Sequence, residues 1–340
     1  METALPAPLL AGGVTFVVTP LCRGLALKLG MVDQPDGRKQ HGEPVPMLGG
    51  LAVFAGLLVV WYGAYGVPTN LPHILLFLSV PGALVVGAWD DIRSLRTHTK
   101  VGWQVACVAV AVASIALSLP AVTATHWAQL LLCGAFLVGA MNLINFADTY
   151  DGLCVLTCAG LAAVMGVLTE GVQNTAVHWA IVGACLGFLP WNLSRRHRTF
   201  LGDGGSLMLG LLIGYLALET VWELRGSPDP DGGPLWPLPL LLLGVPILDG
   251  AVVTLHRHMA GRPVTVGARD HLSHRLDAAG LPPRLMVLVL AVATTAFAAT
   301  ALLYTAAPAG EGWLVLAGAL TLWTGGLVVA LRSPIYGGCS

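Results

Sequence analysis

The stretch Leu75-Leu-Phe-Leu-Ser-Val-Pro-Gly-Ala-Leu-Val-Val-Gly-Ala-Trp-Asp-Asp91 decides the fold class, because it joins an apolar run of membrane-spanning character to two adjacent aspartates. Carboxylates are costly to hold near hydrocarbon, so a pair of them at the end of such a run indicates a functional site. Asp148 and Asp151 follow a second apolar run, and Asp203 follows a third. Acidic groups at the ends of several apolar helices predict a divalent metal and an anionic, phosphorylated substrate. The alternative is that these aspartates only cap helices.

Composition places the whole chain in the membrane. Of its 340 residues, 56% are hydrophobic and only 10% are charged, and the mean hydropathy is +0.77. These values predict an all-α polytopic membrane protein and exclude a soluble domain with a large core. The seven cysteines lie mostly in apolar segments and are odd in number, which predicts packing roles rather than disulfides or a zinc site. Because no basic stretch precedes the first apolar segment, we expect a retained helix rather than a cleaved signal.

Hydropathy predicts about 10–11 transmembrane helices of roughly 17–25 residues each. No internal repeat or soluble domain interrupts them, so we expect one integral membrane domain over residues 1–340. The predicted spans are 7–29, 48–66, 71–89, 101–119, 127–146, 153–169, 176–193, 205–222, 234–256, 284–306 and 312–331.

Basic residues predict the orientation of these spans, because they concentrate in alternate loops, whereas the opposite loops contain only Arg225. The positive-inside rule then places the N-terminus outside, the C-terminus inside and the aspartate-bearing loops in the cytoplasm. Lipid headgroups would explain the basic residues but not the aspartates among them. The basic set is Arg38, Lys39, Arg93, Arg96, Lys100, Arg195, Arg196, Arg198, Arg257, Arg262, Arg269, Arg275, Arg284 and Arg332.

Five motifs between about residues 30 and 280 carry a family resemblance. They are Asp33-Gln-Pro-Asp-Gly-Arg-Lys-Gln-His41 running on to Gly50, Gly87-Ala-Trp-Asp-Asp91, Asn142-Leu-Ile-Asn-Phe-Ala-Asp-Thr-Tyr-Asp-Gly-Leu153, Phe200-Leu-Gly-Asp-Gly-Gly-Ser206 and Asp270-His-Leu-Ser-His-Arg-Leu276. In this order they resemble the polyprenyl-phosphate N-acetylhexosamine-1-phosphate transferases of glycosyltransferase family 4. That family serves O-antigen, lipopolysaccharide, teichoic acid and cell-wall synthesis.

The resemblance implies a reaction and its participants. The enzyme would transfer HexNAc-1-phosphate, with GlcNAc as the expected sugar, from a UDP-sugar to polyprenyl phosphate and release UMP. It would require Mg²⁺, with Mn²⁺ as an alternative, and would act in the cell membrane without nucleic acid. A homodimer, the lipid length and the glycan pathway are left open. The alternatives are phospho-MurNAc-pentapeptide or another UDP-sugar as donor, a lipid-linked sugar transporter, or a non-catalytic homologue.

Site roles follow from the same resemblance. Asp90, Asp91, Asp203 and His271 would be catalytic, and Asn145 and Asp203 would bind the metal. Glycines on both sides of Asp203 leave its carboxylate and nearby N–H groups open to a metal-bound diphosphate. Asn145 could instead be a polar residue at a helix end, and Arg38 could only solvate headgroups. The implied substrate-binding set is Arg38, Lys39, His41, Asp148, Thr149, Tyr150, Asp151, Asn192, Arg262, Arg269 and His274.

Two departures from the family pattern concern the nucleotide-sugar side of the site. The family usually has Asp-Gly-aliphatic-Asp-Gly where this chain has Thr149 and Tyr150, and many members have His-x-His-His where this chain has Ser273. A tyrosine at position 150 could stack on uracil. Alternatively, it points into the helix bundle and contacts no ligand.

Overall fold

The computed structural model describes residues 6–34, 44–119, 122–171, 175–225, 236–263, 269–308 and 310–333. Over these residues the chain is almost entirely helical, as the composition predicted, with one short antiparallel strand pair. The elements are α1 (Pro6–Leu29), β1 (Val32–Asp33), β2 (Val45–Pro46), α2 (Gly49–Tyr65), α3 (Leu71–Arg93), α4 (Thr97–Ser118), α5 (Ala124–Phe146), α6 (Leu153–Leu168), α7 (Ala176–Asn192), α8 (Gly202–Arg225), α9 (Pro237–Leu242), α10 (Gly244–Met259), α11 (Leu272–Ala278), α12 (Pro283–Ala298), α13 (Thr300–Ala306) and α14 (Gly312–Arg332).

The helices confirm a polytopic membrane protein. Within the described ranges, seven segments are long and apolar enough to cross a bilayer: α1, α3, α4, α5, α8, the pair α12–α13 and α14. The remaining predicted spans correspond to the shorter helices α2, α6 and α7 and to the pair α9–α10, which is interrupted at Leu243. Shorter helices suit positions inside a bundle, where neighbouring helices rather than lipid surround them.

Helix α8 is the centre of the bundle, with 78% of its spanning window buried against 11–39% in the other six spans. It packs against α2, α3, α5 and α6. Its sequence is apolar on every side, with Leu207, Met208, Leu209 and Leu211 all fully buried. A helix of this kind is stable only when other helices cover its whole circumference.

Two close helix crossings bring the ends of α2, α3 and α8 together. A Cβ at Gly87 of α3 would overlap the carbonyl group of Asp203 and the nitrogen of Gly204, and a Cβ at Gly50 of α2 would overlap the backbone of Gly205. Only glycine permits backbones to approach this closely. Gly87 and Gly50, each from one of the sequence motifs, therefore allow the first turn of α8 to lie against the end of α3 and the start of α2.

Five predicted spans have an end that differs by three or four residues from the end of the observed helix, and three of these differences affect site residues. Helix α3 continues past Trp89, so Asp90 and Asp91 lie in its last turn rather than in a loop. Helix α8 begins at Gly202, which puts Asp203 in its first turn. Helix α4 begins at Thr97, which puts Lys100 in its first turn. Hydropathy places helix ends at the first charged residue, whereas the backbone hydrogen bonds continue beyond it.

Candidate active site

The carboxylate of Asp91 caps the start of α8. Its Oδ1 accepts a hydrogen bond from the backbone N–H of Asp203 at 3.1 Å, and its Oδ2 accepts one from Gly204 at 3.5 Å. Gly202, with φ of 76°, adopts the left-handed conformation that turns the chain into the helix. Free N–H groups at a helix N-terminus favour an anionic partner. Asp91 therefore joins α3 to α8 and is committed to backbone contacts.

The ammonium group of Lys100 bridges the other two aspartates. It donates to Asp203 Oδ2 and lies 2.8 Å from Asp90 Oδ2. The second oxygen of Asp90 accepts the backbone N–H of Leu95 at 2.7 Å. Lys100 thus supplies positive charge between two carboxylates that would otherwise repel each other.

Asn145, in the last turn of α5, completes this acidic centre. Its Nδ2 donates to Asp203 Oδ1 at 3.0 Å and to Ser206 Oγ at 2.8 Å. One aspartate at the start of α8 therefore contacts side chains from α4 and α5. Asp90, Asp91, Lys100, Asn145 and Asp203, from four different helices, form what we call the acidic centre.

Asp148 lies beside the acidic centre, in the turn that follows α5. Burial is the main cause that raises the pKa of Asp148 to about 8, and the negative charges of Asp203 and Asp91 raise it further. Three residues on, the carboxylate of Asp151 pairs with Arg198 Nε at 3.2 Å. The two aspartates of this motif therefore differ in environment: Asp148 faces other acids and Asp151 faces a base.

A second cluster surrounds His271. Its Nδ1 lies 2.7 Å from Asp249 Oδ2, and the other oxygen of Asp249 accepts the backbone N–H of Leu272 at 2.6 Å. The imidazole also meets the ring of Phe146 edge-on, with centroids 5.4 Å apart. Because Phe146 follows Asn145 directly, the end of α5 touches both the acidic centre and the histidine cluster.

Tyr150 is buried within the same region, with 7% of its surface exposed. Its hydroxyl donates to Asp277 Oδ2 at 2.6 Å and lies 3.2 Å from His274 Nδ1. Its ring centroid is 5.2 Å from that of His274. Burial, followed by the charges of His271 and Arg269, lowers the pKa of His274 to about 4. These are the contacts expected if Tyr150 packs into the bundle.

Thr149 and Ser273, the two other departures from the family pattern, share a hydrogen bond at 2.8 Å between their hydroxyl oxygens. The turn after α5 is thereby joined to α11. Each hydroxyl is thus the polar partner of the other.

The segment that precedes α11 is held by a buried ion pair. Arg257 donates from Nε and Nη2 to the two oxygens of Asp270, both at 2.7 Å. Although burial acts to raise the pKa of Asp270, this arginine keeps it below its ordinary value. Arg275 then connects the backbone of Asp270 to the end of α14, by donating to its carbonyl at 3.0 Å and to that of Ala330 at 2.7 Å.

Several predicted site residues lie apart from the acidic centre or outside the described ranges. Arg38, Lys39 and His41 belong to the undescribed residues 35–43. Asn192 is buried, and its amide bonds the backbone of Gly152 and Thr199 at 2.6 and 3.0 Å. Arg262 is exposed, and Arg269 is half-buried near His274.

Three residues that contact predicted site residues were not themselves predicted as part of the site. Lys100 was counted only as a basic residue of a loop, Asp249 lay inside a predicted span, and Asp277 stood outside every motif. The signal for Asp249 was available, because a lone carboxylate within an apolar span demands a partner. Asp203 is 103 residues from Lys100, and Tyr150 is 127 residues from Asp277, so only the fold brings these pairs together.

The acidic centre has the donor chemistry of a magnesium site. Mg²⁺ takes hard oxygen ligands, few of them from the protein. Carboxylate oxygens of Asp203 and Asp90 converge here on Lys100, and Asn145 turns its amide nitrogen toward Asp203. The Lys100 ammonium lies between the carboxylates of Asp90 and Asp203. Within the described residues, no group of three or more histidine, cysteine or acidic side chains is arranged as a complete metal site. The carboxylates of Asp90 and Asp203 would therefore suit only a metal that takes most of its shell from water and ligand phosphates.

Comparison with known proteins agrees with the motifs. Residues 73–221 match the family model of glycosyl transferase family 4. The chain is 32% identical over 286 residues to the probable undecaprenyl-phosphate N-acetylglucosaminyl 1-phosphate transferase of Bacillus subtilis (strain 168). The matched region is 81% of this chain and 77% of that protein. It is 29% identical over 296 residues to the undecaprenyl-phosphate alpha-N-acetylglucosaminyl 1-phosphate transferase of Escherichia coli (strain K12), covering 83% and 78%. The chain belongs to glycosyl transferase family 4.

Proposed function

We propose that this protein transfers N-acetylglucosamine 1-phosphate from UDP-GlcNAc to a polyprenyl phosphate and releases UMP. The observation that carries the proposal is the acidic centre, where aspartates from α3 and α8 meet a lysine from α4 and an amide from α5. The Lys100 ammonium, together with a divalent cation that the carboxylates could hold, suits an anionic lipid headgroup and a diphosphate. The names of the two relatives support the same donor group and acceptor.

The proposed reaction is an in-line displacement at phosphorus. An oxygen of the polyprenyl phosphate bonds to the β-phosphorus of UDP-GlcNAc, and the bond from that phosphorus to the bridging oxygen breaks. The bridging oxygen leaves with UMP, so the products are polyprenyl diphosphate-linked GlcNAc and UMP. A phosphate dianion is already a nucleophile, so positioning and charge neutralisation are the main tasks of the protein.

Each residue of the acidic centre has a task in this proposal. Asp203 and Asn145 would hold Mg²⁺, which neutralises diphosphate charge when bound. Lys100 would contact a phosphate oxygen of the substrate, since its ammonium group can give up its contact with one of the two carboxylates. Asp90 would orient Lys100. Asp91 would keep the first turn of α8 in place through its backbone contacts.

The histidine cluster would serve the nucleotide-sugar side. Asp249 fixes the Nδ1 edge of His271, which leaves Nε2 for a phosphate oxygen. The contact between Phe146 and His271, next to Asn145, supports one continuous site rather than two.

We propose that the acidic centre faces the cytoplasm, because the basic residues of the sequence concentrate at its end of the bundle. Single cysteines in a cysteine-free background test this. Ser94→Cys, in the exposed turn between α3 and α4, should react with an impermeant thiol reagent only in inverted vesicles. Glu311→Cys, exposed at the start of α14, should react in intact cells. The reverse pattern would contradict the orientation.

The decisive experiment for activity uses purified protein, undecaprenyl phosphate and Mg²⁺ with UDP-GlcNAc, UDP-GalNAc or UDP-MurNAc-pentapeptide in parallel. UMP release and the mass of the lipid product are measured. We expect product with UDP-GlcNAc and its loss on chelation with EDTA. A preference for UDP-MurNAc-pentapeptide would contradict UDP-GlcNAc as the donor. The absence of UMP with every donor would support a non-catalytic homologue.

A further inference from the structure

Helices α4 and α5 are joined by a pair of side-chain amides that no step of the proposed reaction uses. Asn142 Nδ2 donates to Gln104 Oε1 at 2.9 Å, and Gln104 Nε2 donates to Asn142 Oδ1 at 3.4 Å. Asn142 Nδ2 also donates to the carbonyl oxygen of Val138, one turn back on α5, at 2.8 Å. Asn142 therefore uses both of its amide hydrogens, and its own helix helps to hold the side chain in place.

The amide pair is buried in a region where an unpaired amide is costly. Gln104 has no exposed surface, and Asn142 is partly buried. Further along, α4 and α5 contribute apolar side chains to one cluster, among them Val108 and Leu137. Apolar contacts have no direction, whereas a slip of one helix along the other would leave both amides without a partner. A buried polar pair in an apolar helix interface therefore specifies the register of the two helices.

The amide pair lies one turn from the two side chains that α4 and α5 contribute to the acidic centre. Lys100 precedes Gln104 by four positions and Asn145 follows Asn142 by three, which are distances of about 6 and 4.5 Å along the helix axes. Residues at these spacings share a helix face. Lys100 donates to Asp203 Oδ2 and Asn145 to Asp203 Oδ1. The register of α4 against α5 therefore decides whether both side chains reach this carboxylate.

We propose that Gln104 and Asn142 are positioning residues, whose amide pair sets the register in which Lys100 and Asn145 contact Asp203 together. The consequence for catalysis rests on the proposed function, in which Lys100 contacts a substrate phosphate and Asn145 the metal. The amides act through these two residues, and a misplacement of about 1 Å in an active site is enough to reduce turnover strongly.

Apolar variants of similar shape separate positioning from stability. Gln104→Met leaves the amide of Asn142 unpaired, so it should lower Tm and reduce kcat for UMP release at least about tenfold. Adding Asn142→Leu removes the unpaired amide, and replacing both partners by apolar groups of similar shape is nearly neutral for stability. In this double variant we expect Tm to return toward the wild-type value while kcat stays low. Recovery of kcat together with Tm would overturn the proposal, because it would show a role in stability alone.

Val108→Ala is the matched control on the same helix. Val108 follows Gln104 by one turn and is buried, and its Cγ1 would lie 3.8 Å from a Cβ at Gly134 of α5. The truncation should lower Tm but keep the amide pair, so kcat should fall far less than in Gln104→Met at an equal loss of Tm. If Tm stays low in the double variant, this comparison decides, and equal losses of kcat would overturn the proposal.

A measurement without turnover distinguishes the register role from the proposed function. Lys100→Met removes the ion pairs with Asp90 and Asp203. It should change Tm more in the wild type than in the double variant, where Lys100 no longer lies between the carboxylates. Equal changes in both backgrounds would overturn the register role even if UMP is formed. Unequal changes in a protein that releases no UMP would support the register role and contradict the proposed function.

Discussion

The Asp91 carboxylate at the end of α3 accepts the backbone N–H of Asp203 at the start of α8, over 3.1 Å. Asp91 and its neighbour Asp90 therefore have different roles. Asp91 caps a helix, whereas Asp90 pairs with Lys100 at 2.8 Å. Within the acidic centre, Asp91 thus makes the capping contacts of the helix-capping alternative, whereas Asp90 makes an ion pair.

We expect Gly87→Ala to abolish most activity, because the added methyl group would overlap the backbone of Asp203 and Gly204 and force α3 away from α8. The matched control is Gly82→Ala on the same helix, whose methyl group would meet only Cys107 Sγ at 3.3 Å. UMP release should fall more than about tenfold in the first variant, since small misplacements in an active site carry costs of this order. Similar activity in both variants would contradict the close crossing.

Asp203→Asn should reduce turnover by at least about 10²-fold, because a bound metal supplies several kcal/mol of charge stabilisation. Folding should survive, since the amide preserves the shape of the side chain and Lys100 retains Asp90. Turnover is measured across a Mg²⁺ titration, with monodispersity in detergent as the control for folding. If the activity of Asp203→Asn were unchanged at limiting Mg²⁺, Asp203 would not be a metal ligand.

Tyr150→Leu should destabilise the protein and leave KM for the nucleotide-sugar almost unchanged. The side chain is buried and its hydroxyl donates to Asp277, so its loss costs packing and removes one hydrogen bond from that carboxylate. Tyr150→Phe separates the two effects, because it removes only the hydroxyl. Steady-state kinetics and thermal unfolding are compared for both variants. A several-fold rise in KM for Tyr150→Leu at unchanged Tm would instead support stacking on uracil.

Asp249→Asn should lower kcat about 10- to 100-fold, the range seen when carboxylates that orient metal-binding histidines are removed. Asparagine can still accept from Leu272, but it no longer stabilises a proton on His271 Nδ1. The pH–rate profile should therefore change together with kcat, which a purely structural role would not produce. Asp277→Asn is the control, because Asp277 accepts the hydroxyl of Tyr150. Parallel profiles for wild type and Asp249→Asn would exclude the positioning role.

His274 should make the ligand-free protein less stable as the pH falls from about 6.5 to 4. Its pKa is about 4 in the folded protein against an ordinary value of 6.5, so the unfolded chain binds its proton first. The stabilising contribution is complete above pH 6.5 and decreases toward pH 4. His274→Gln removes this contribution, so the difference in Tm between wild type and variant should narrow over that window. A constant difference would mean that His274 titrates normally.

The sequence by itself determined the fold class and the elements of the site. Long apolar runs have no stable alternative to membrane helices, because backbone polar groups must be satisfied within the segment. The aspartates at the ends of those runs, and the glycines beside Asp203, also predicted a site for a divalent metal and a phosphorylated substrate. The five motifs were sufficient to identify the family, since their residue types and order are local properties of the chain.

Only the tertiary structure decided which side chains meet. The Lys100 bridge between Asp90 and Asp203 and the Asp249–His271 pair join residues on different helices, and the sequence contains no period or spacing that encodes these distances. The burial of Tyr150 likewise depends on α11 and α12 packing over it. Helix formation is governed by nearby residues, whereas the rotation and crossing of helices follow from how their side chains and glycines pack.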